Sequence, residues 1–209
     1  MSFDRAAIGI LDIGLGNLRS VANAVYEVGY DYHLVSTPEA FAEISHLIIP
    51  GVGHFSYAMK AIEVSGLKQS IDNYVRVSRA PVLGICLGFQ LLAEFSEEGN
   101  LAWLGYIPGK VRRLNKALLP VPHTGWNSVE QKSTHPLFKG IKNGRDFYFV
   151  HSYEMRVNQP EQILAATDYG GEVICGVGFE NIVGVQFHPE KSQKNGLQLL
   201  ENFCRWDGT

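Results

Sequence analysis

A cysteine between two glycines is the first candidate for chemistry in this sequence. Cys86 follows the apolar run Val82–Ile85, with Gly84 two residues before it and Gly88 two residues after it. The run predicts a buried strand, and the glycines allow a tight turn that would hold the thiol clear of the sheet. N–H groups at the start of a following helix would favour a thiolate and could stabilise an oxyanion. The alternative is an inert core cysteine, which is the commoner fate of a free thiol.

A nucleophilic cysteine needs a base, and the segment GVQFHPEKS contains residues of the right types. His188 is predicted to end an apolar strand, and Glu190 follows two residues later, so on an extended backbone both side chains would project to the same side. A carboxylate beside an imidazole favours the imidazolium, which in turn favours a thiolate nearby. The alternative is a capped surface histidine beside a solvated glutamate.

The segment PGVG is a candidate for the oxyanion hole. Gly51 and Gly53 flank Val52 directly after the apolar run His46–Ile49. Glycines on both sides allow the Val52 peptide to adopt conformations closed to other residues, so its N–H could form an oxyanion hole together with the Leu87 N–H. The alternative is an ordinary Pro-Gly turn.

The first half of the chain alternates strand and helix patterns around these residues. Strands are predicted at 6–13, 32–36, 46–49 and 82–85, and helices at 17–28, 55–64, 67–77 and from the Cys86 turn through Phe95. This alternation predicts an α/β fold with an open, mostly parallel central sheet and helices on both faces. The turn GLGNLR resembles a dinucleotide fingerprint only weakly, because Arg19 occupies the position of the third glycine, so we expect no dinucleotide cofactor.

The second half of the chain has shorter strand patterns separated by turn signals. They predict additional, partly antiparallel strands at 110–114, 127–131, 147–153, 163–167, 173–179 and 182–188, followed by a helix at 197–206. No linker, repeat or low-complexity segment divides the sequence, so residues 1–209 are expected to form a single domain.

Composition limits the classes of partner and compartment. The net charge of −3 and the 19% of charged residues argue against nucleic-acid binding, and no apolar run reaches the roughly 20 residues of a membrane helix. The three cysteines, Cys86, Cys175 and Cys204, form neither a disulfide framework nor a metal motif. A reducing, cytoplasmic location is therefore expected, with no metal, no cofactor and no signal peptide.

Several motifs occur in an order that resembles a known enzyme family. PGVG (50–53), GICLGFQ (84–90) and GVQFHPEKS (184–192) are similar to the triad, or class I, glutamine amidotransferases. DIGLGNLRSV (12–21), PHTGWN (122–127) and FYFVHSY (147–153) resemble one branch of that family, the glutaminase subunits of imidazole glycerol phosphate synthase in histidine biosynthesis. The resemblance extends over almost the whole chain.

The resemblance implies a role for each matched residue. Cys86 would be the nucleophile, His188 the general base and acid, and Glu190 the residue that orients the imidazole. L-Glutamine would be held by the Gln90 side chain, by the strand residues His151, Ser152 and Tyr153, and by the backbone of Gly51, Val52, Gly53 and Leu87. Ammonia from glutamine would react in a separate barrel-shaped cyclase subunit, which forms a heterodimer with the glutaminase. Asn17 and Trp126 are expected at the partner face, with core packing left open for Trp126.

Three other functions remain open from the sequence alone. A paralogous amidotransferase subunit could supply ammonia to a partner that aminates a sugar nucleotide for surface polysaccharide. A catalytically silent regulatory module on the same fold would not need the complete set of Cys86, His188 and Glu190. A cysteine peptidase on a similar fold would not need PGVG or the Gln90 side chain.

Overall fold

The computed structural model describes residues 6–99, 101–102, 104–115 and 119–209. The strands are β1 (Ile8–Leu11), β2 (Tyr32–Val35), β3 (His46–Ile49), β4 (Val82–Ile85), β5 (Ala93–Ser96), β6 (Leu101–Ala102), β7 (Ile107–Arg113), β8 (His123–Gln131), β9 (Arg145–His151), β10 (Tyr153–Val157), β11 (Ile163–Asp168), β12 (Glu172–Phe179) and β13 (Ile182–Val185). The α-helices are α1 (Leu18–Glu27), α2 (Phe55–Val64), α3 (Lys68–Asp72), α4 (Leu87–Leu91) and α5 (Gln193–Arg205). A π-helical turn covers Asn73–Val77, and 3₁₀ turns cover Pro38–Glu43, Pro136–Phe138, Pro160–Gln162 and Pro189–Lys191.

Most of the described strands join one central sheet. Their order is β2-β1-β3-β4-β13-β12-β11-β8-β9, and the ladders from β2 to β13 are parallel while those from β13 to β9 are antiparallel. The α/β fold with added antiparallel strands is therefore confirmed. All residues of β1, β3, β4 and β13 are buried, as expected for parallel strands covered on both faces.

Helices cover the parallel part of the sheet on both sides. On one face, α1 and α5 pack with apolar side chains such as Val21, Val25 and Phe203 against the strands. On the other face, α2 contributes Phe55 and Ile62 to a second buried cluster. These helices leave the carboxyl ends of β3, β4 and β13 free to form a site, as is usual for open α/β sheets.

A second, four-stranded sheet with the order β10-β7-β5-β6 was not predicted as a separate unit. The helix expected through Phe95 ends at Leu91, and Phe95 lies in β5, paired with β6 and β7. The helical prediction was wrong beyond Leu91, because long-range pairing with β6 and β7 overrides the helical spacing of the apolar residues. The backbone N–H and C=O groups of β5 form hydrogen bonds with β7 instead.

Two further segments differ from the sequence prediction in ways that affect the site. The strand expected over 147–153 is interrupted at Ser152, which separates β9 from β10. The strand expected over 182–188 ends at Val185, so His188 lies in the connection after β13 and not on the strand.

None of the described helices is long and apolar enough to cross a membrane.

Candidate active site

The Cys86 turn has the strained geometry of a nucleophile held between a strand and a helix. Cys86 directly follows β4 and has φ 53° and ψ −102°, a backbone conformation that residues other than glycine rarely adopt. A Cβ at Gly88 would lie 1.7 Å from the Ile49 carbonyl oxygen, and a Cβ at Gly84 would lie 2.7 Å from the Gly88 oxygen. Both flanking glycines are therefore required by the close approach of β3, β4 and α4.

His188 and Glu190 form a buried hydrogen-bonded pair. His188 Nδ1 lies 2.7 Å from Glu190 Oε1, and each side chain is 1% exposed. The extended backbone expected between them is wrong, because Pro189 begins a 3₁₀ turn. The Lys191 N–H and the Ser192 hydroxyl both donate to the His188 carbonyl and hold this turn. The turn therefore brings the two side chains together.

Glu190 and the nearby thiol raise the proton affinity of the His188 imidazole. Burial alone would lower the pKa of His188, but the charge interactions with Cys86 and Glu190 and the hydrogen bond to Glu190 outweigh burial and raise this pKa to about 9. His188 Nε2 has no geometrically acceptable hydrogen-bond partner in the described part of the chain. The Cys86 sulfur instead lies 3.7 Å from the Val150 carbonyl, a contact in which the thiol donates. The thiol and the imidazole thus interact through charge and proximity before a substrate aligns them.

The structure brings most of the predicted site residues to one pocket of about 300 Å³. This volume is at the lower end of the range for ligand pockets, about 300–1,000 Å³, which suits a small substrate. Its walls include nine predicted residues, Val52, Gly53, Cys86, Leu87, Gln90, His151, Ser152, Tyr153 and His188. Glu190 lies behind His188, and Gly51 is buried beneath the pocket. In the described residues no cluster of histidine, cysteine, aspartate or glutamate could hold a metal ion.

The backbone of the PGVG segment is oriented so that the predicted oxyanion hole is closed, with neither N–H donor pointing into it. The Gly51 carbonyl accepts a hydrogen bond of 3.3 Å from the Leu87 N–H. Because the peptide is trans, the Val52 N–H lies on the opposite side and points away from Leu87. Val52 itself is 37% exposed and lines the pocket. Neither predicted donor is available to a substrate oxygen in this conformation.

The family model for "Glutamine amidotransferase class-I" matches residues 9–206. The chain belongs to this family. Curated relatives include the "Imidazole glycerol phosphate synthase subunit HisH" of Leptospira interrogans, 41% identical over 94% of this chain and 98% of the relative. The "subunit HisH 2" of Vibrio vulnificus is 48% identical over 95% of this chain and 94% of the relative.

Solved structures support the amidotransferase fold at low sequence identity. A "glutamine amidotransferase" crystal structure has a TM-score of 0.75 at 20% identity and covers 94% of this chain and 98% of that one. The PurLQS structure from Thermotoga maritima has a TM-score of 0.74 at 17% identity, with coverage of 96% and 98%.

Two further side chains of this amidotransferase reach the site and were missed from the sequence. Glu98 lines the pocket, and its carboxylate accepts the Phe55 N–H at 3.1 Å and lies 3.6 Å from His54 Nε2. Gln186 is fully buried, with Nε2 3.7 Å from the Cys86 sulfur. Gln186 could have been found as the one polar residue of the apolar run VGVQF, because a buried amide needs partners. Glu98 lies in the polar segment SEEG, which carries no such signal.

Asn17 and Trp126, the two residues assigned to a partner face, lie outside the pocket. Trp126 lies on β8, is 49% exposed and makes an edge contact with Tyr148 at a ring-centroid distance of 5.9 Å. The core-packing alternative for Trp126 is therefore wrong. Asn17 precedes α1, and its Oδ1 accepts a 2.7 Å hydrogen bond from the Ser20 hydroxyl.

Proposed function

We propose that this chain hydrolyses L-glutamine to glutamate and ammonia, and that the ammonia is used by the cyclase subunit of imidazole glycerol phosphate synthase in histidine biosynthesis. The observation that supports this most directly is the meeting of Cys86 with the buried His188–Glu190 pair at one small pocket. The names of the relatives quoted above support the choice of pathway. They do not favour the paralogue that would serve a sugar-nucleotide partner.

The first chemical step is attack of the Cys86 sulfur on the side-chain amide carbon of glutamine. The thiol proton passes to His188 Nε2, which has no other hydrogen-bond partner in the described chain. The raised pKa of His188, about 9, lets the imidazole hold this proton at neutral pH. Glu190 accepts from Nδ1 and thereby keeps Nε2 turned to the sulfur.

The tetrahedral intermediate then collapses to a thioester and ammonia. The His188 imidazolium gives its proton to the leaving nitrogen, so that ammonia departs as a neutral molecule. His188 next takes a proton from water, which attacks the thioester carbon and releases glutamate with the regenerated thiol. The negative oxygen in both intermediates requires donors, for which we assign the N–H groups of Val52 and Leu87 after rotation of the Gly51–Val52 peptide.

The hydrogen bonds of Gln90 determine how it can bind the substrate. Its Nε2 donates to the Tyr153 carbonyl at 3.3 Å and to Gln186 Oε1 at 3.0 Å, so both N–H bonds are occupied. Gln90 therefore offers the substrate only its carbonyl oxygen, a hydrogen-bond acceptor that suits a positively charged donor. Together with the Glu98 carboxylate, this oxygen suits the α-ammonium group of glutamine. We assign the α-carboxylate to the opposite wall at Ser152 and Tyr153.

The second half of the reaction belongs to a partner in this proposal. The pocket is close in volume to what one amino acid needs, and no phosphate-binding loop was found in the sequence. A heterodimer with a barrel-shaped cyclase subunit would contact the surface around Asn17 and Trp126. Such a pair would act in the cytoplasm, where the biosynthetic substrates are made.

The decisive experiment reconstitutes this chain with a cyclase subunit and compares two nitrogen sources. The wild-type pair should form product from glutamine or from added ammonium salt. Cys86→Ala should lose the glutamine-dependent reaction and keep the ammonia-dependent one, because the cyclase carries the second step. Loss of both activities in a complex that still assembles would contradict the division of labour. Retention of both would contradict the role of Cys86.

A further inference from the structure

Gln186 lies directly against the nucleophile and has one hydrogen-bond partner at each end of its side-chain amide. Its Nε2 lies 3.7 Å from the Cys86 sulfur, and its Oε1 accepts a hydrogen bond of 3.0 Å from Gln90 Nε2. The residue is completely buried. A buried amide costs free energy unless its donors and acceptors are paired, so the position of this side chain is well determined by its two partners.

The direction of the Gln186 amide follows from one backbone carbonyl. The Tyr153 carbonyl can only accept, so Gln90 must turn its NH₂ group toward it. The same NH₂ group faces Gln186, which must therefore present its oxygen to Gln90. The NH₂ group of Gln186 is then left facing the sulfur. The assignment of nitrogen and oxygen in both amides is thus determined by the network.

Two neutral histidines hold that carbonyl from the other side. His151 Nδ1 donates to the Tyr153 carbonyl at 2.8 Å, so its Nε2 must accept the 2.9 Å hydrogen bond from His123 Nδ1. Burial lowers the pKa of His123 and of His151 to about 4, which keeps both rings neutral at physiological pH. His123 is also stacked between Phe149 and Tyr169. The carbonyl that orients Gln90 and Gln186 is therefore held in place.

We propose that Gln186 is a further catalytic residue, whose Nε2–H hydrogen-bonds the Cys86 sulfur and stabilises the thiolate formed when the thiol proton moves to His188. This inference rests on the proposed function. In the step, the S–H bond breaks, an N–H bond forms at His188 Nε2, and Gln186 keeps both of its hydrogens. The Val150 carbonyl accepts from the thiol but repels a thiolate, whereas the Gln186 donor becomes stronger as the sulfur gains charge.

The ionisable groups around the sulfur act together with this donor. His188 faces it from the connection after β13 with Glu190 behind the imidazole, His151 faces it from β9, and Glu98 lies across the pocket. Only the His188 imidazolium among these favours the thiolate, while the two carboxylates oppose it and neutral His151 contributes no charge. An amide donor that does not titrate would stabilise the thiolate across the whole pH range.

Alkylation of Cys86 tests the inference without any need for glutamine turnover. Full-length wild type and Gln186→Met are treated with iodoacetamide across a pH series, and modification of the Cys86 peptide is followed by mass spectrometry. Methionine keeps the length of the side chain and removes the donor. Because loss of a hydrogen bond to the charged sulfur disfavours the thiolate, the pH of half-maximal alkylation should rise by about one unit, which makes the reaction about tenfold slower at neutral pH.

A second buried glutamine provides the matched control. Gln162 is as buried as Gln186, does not line the pocket, and its side-chain atoms have no hydrogen-bond partner in the described residues. Gln162→Met should leave the alkylation profile of Cys86 unchanged. Gln186→Leu is a second variant without the donor, and circular dichroism confirms that each variant is folded. Unchanged alkylation profiles in folded Gln186→Met and Gln186→Leu would overturn the inference and leave Gln186 a packing role.

Reconstitution with the cyclase subunit separates this inference from the proposed function. A shifted alkylation profile in the Gln186 variants supports the role of Gln186 even if the wild-type chain shows no glutamine-dependent turnover, a result that would remove the proposed function. Normal glutamine-dependent turnover of wild type, together with an unshifted alkylation profile in the Gln186 variants, would support the proposed function and remove the role of Gln186.

Discussion

The closed oxyanion hole makes a specific prediction for the substitution Val52→Pro. In the described part of the chain, the Val52 N–H donates to no other group, so proline at this position removes no hydrogen bond of the resting structure. In the complex with partner and acceptor ligand, rotation of the Gly51–Val52 peptide would bring the Val52 N–H into the pocket and release the Leu87 N–H. Proline would then lack one of the two donors.

The size of the effect follows from the value of one donor. Loss of a single oxyanion-hole donor costs about 2.7–4 kcal/mol, or roughly 10²–10³ in rate. Val52→Pro should therefore lower the glutaminase rate of the complex with partner and acceptor ligand by about 10²–10³. We expect the isolated chain to be slow because its oxyanion hole is closed, and Val52→Pro should leave that rate unchanged. Val52→Ala keeps the N–H and should behave like wild type.

The assay measures glutamate release by the chain alone, with the cyclase subunit, and with the cyclase subunit plus acceptor ligand. Ammonia-dependent synthesis in each complex checks that the partner is bound and active. If Val52→Pro retains the full stimulated rate, the Val52 N–H does not stabilise the oxyanion. If wild type is equally fast in all three conditions, the closed orientation of the peptide has no regulatory role.

Three further outcomes can be measured directly. The glutamine analogue 6-diazo-5-oxo-norleucine should label Cys86 and not Cys175, since complete burial raises the pKa of Cys175 far above its usual range; labelling of Cys175 alone, seen by mass spectrometry, would contradict the assigned nucleophile. The raised pKa of His188, about 9 against 6.5, stabilises the fold fully below pH 6.5 and loses this effect as the pH rises through 9, on the order of 3 kcal/mol in the free energy of unfolding. Urea titrations at both ends of this pH window should show a lower free energy of unfolding at the alkaline end in wild type. The decrease should be smaller in Glu190→Gln. Trp126→Ala should weaken cyclase binding without lowering the melting temperature of the isolated chain, because the indole is half-exposed; a lower melting temperature with unchanged affinity would place its role in the fold.

The parts of the fold that were predicted most accurately are those with strong local signals. The bounds of β3, α2 and β4 agree with the sequence prediction, because β3 stops at Pro50, α2 stops at Ser65, and β4 is a short apolar run between Pro81 and the Cys86 turn. The site residues could be proposed because glycines mark the Cys86 turn and the PGVG segment. These signals lie within a few residues of the groups they position.

The remaining features depend on contacts between distant segments. Gln90 and Gln186 are oriented by Tyr153, which lies 63 residues from Gln90 in sequence, so no local pattern could predict the direction of either amide. The orientation of the Gly51 carbonyl depends on its contact with Leu87 in another segment. The second sheet was missed because the apolar residues up to Phe95 have helical spacing, whereas long-range pairing with β7 makes this segment a strand.

The tight packing between the PGVG segment and the nucleophile turn restricts how the enzyme could be switched. A Cβ on Gly51 would lie 2.7 Å from the Leu87 Cβ, and Gly88 approaches the Ile49 carbonyl still more closely. Neither segment can slide past the other without a collision, so the Cα positions have almost no room for translation. A peptide plane can still turn between two stationary Cα atoms. Activation would then be a crankshaft motion of a single amide, nearly invisible in a superposition of Cα traces and visible in the direction of one carbonyl.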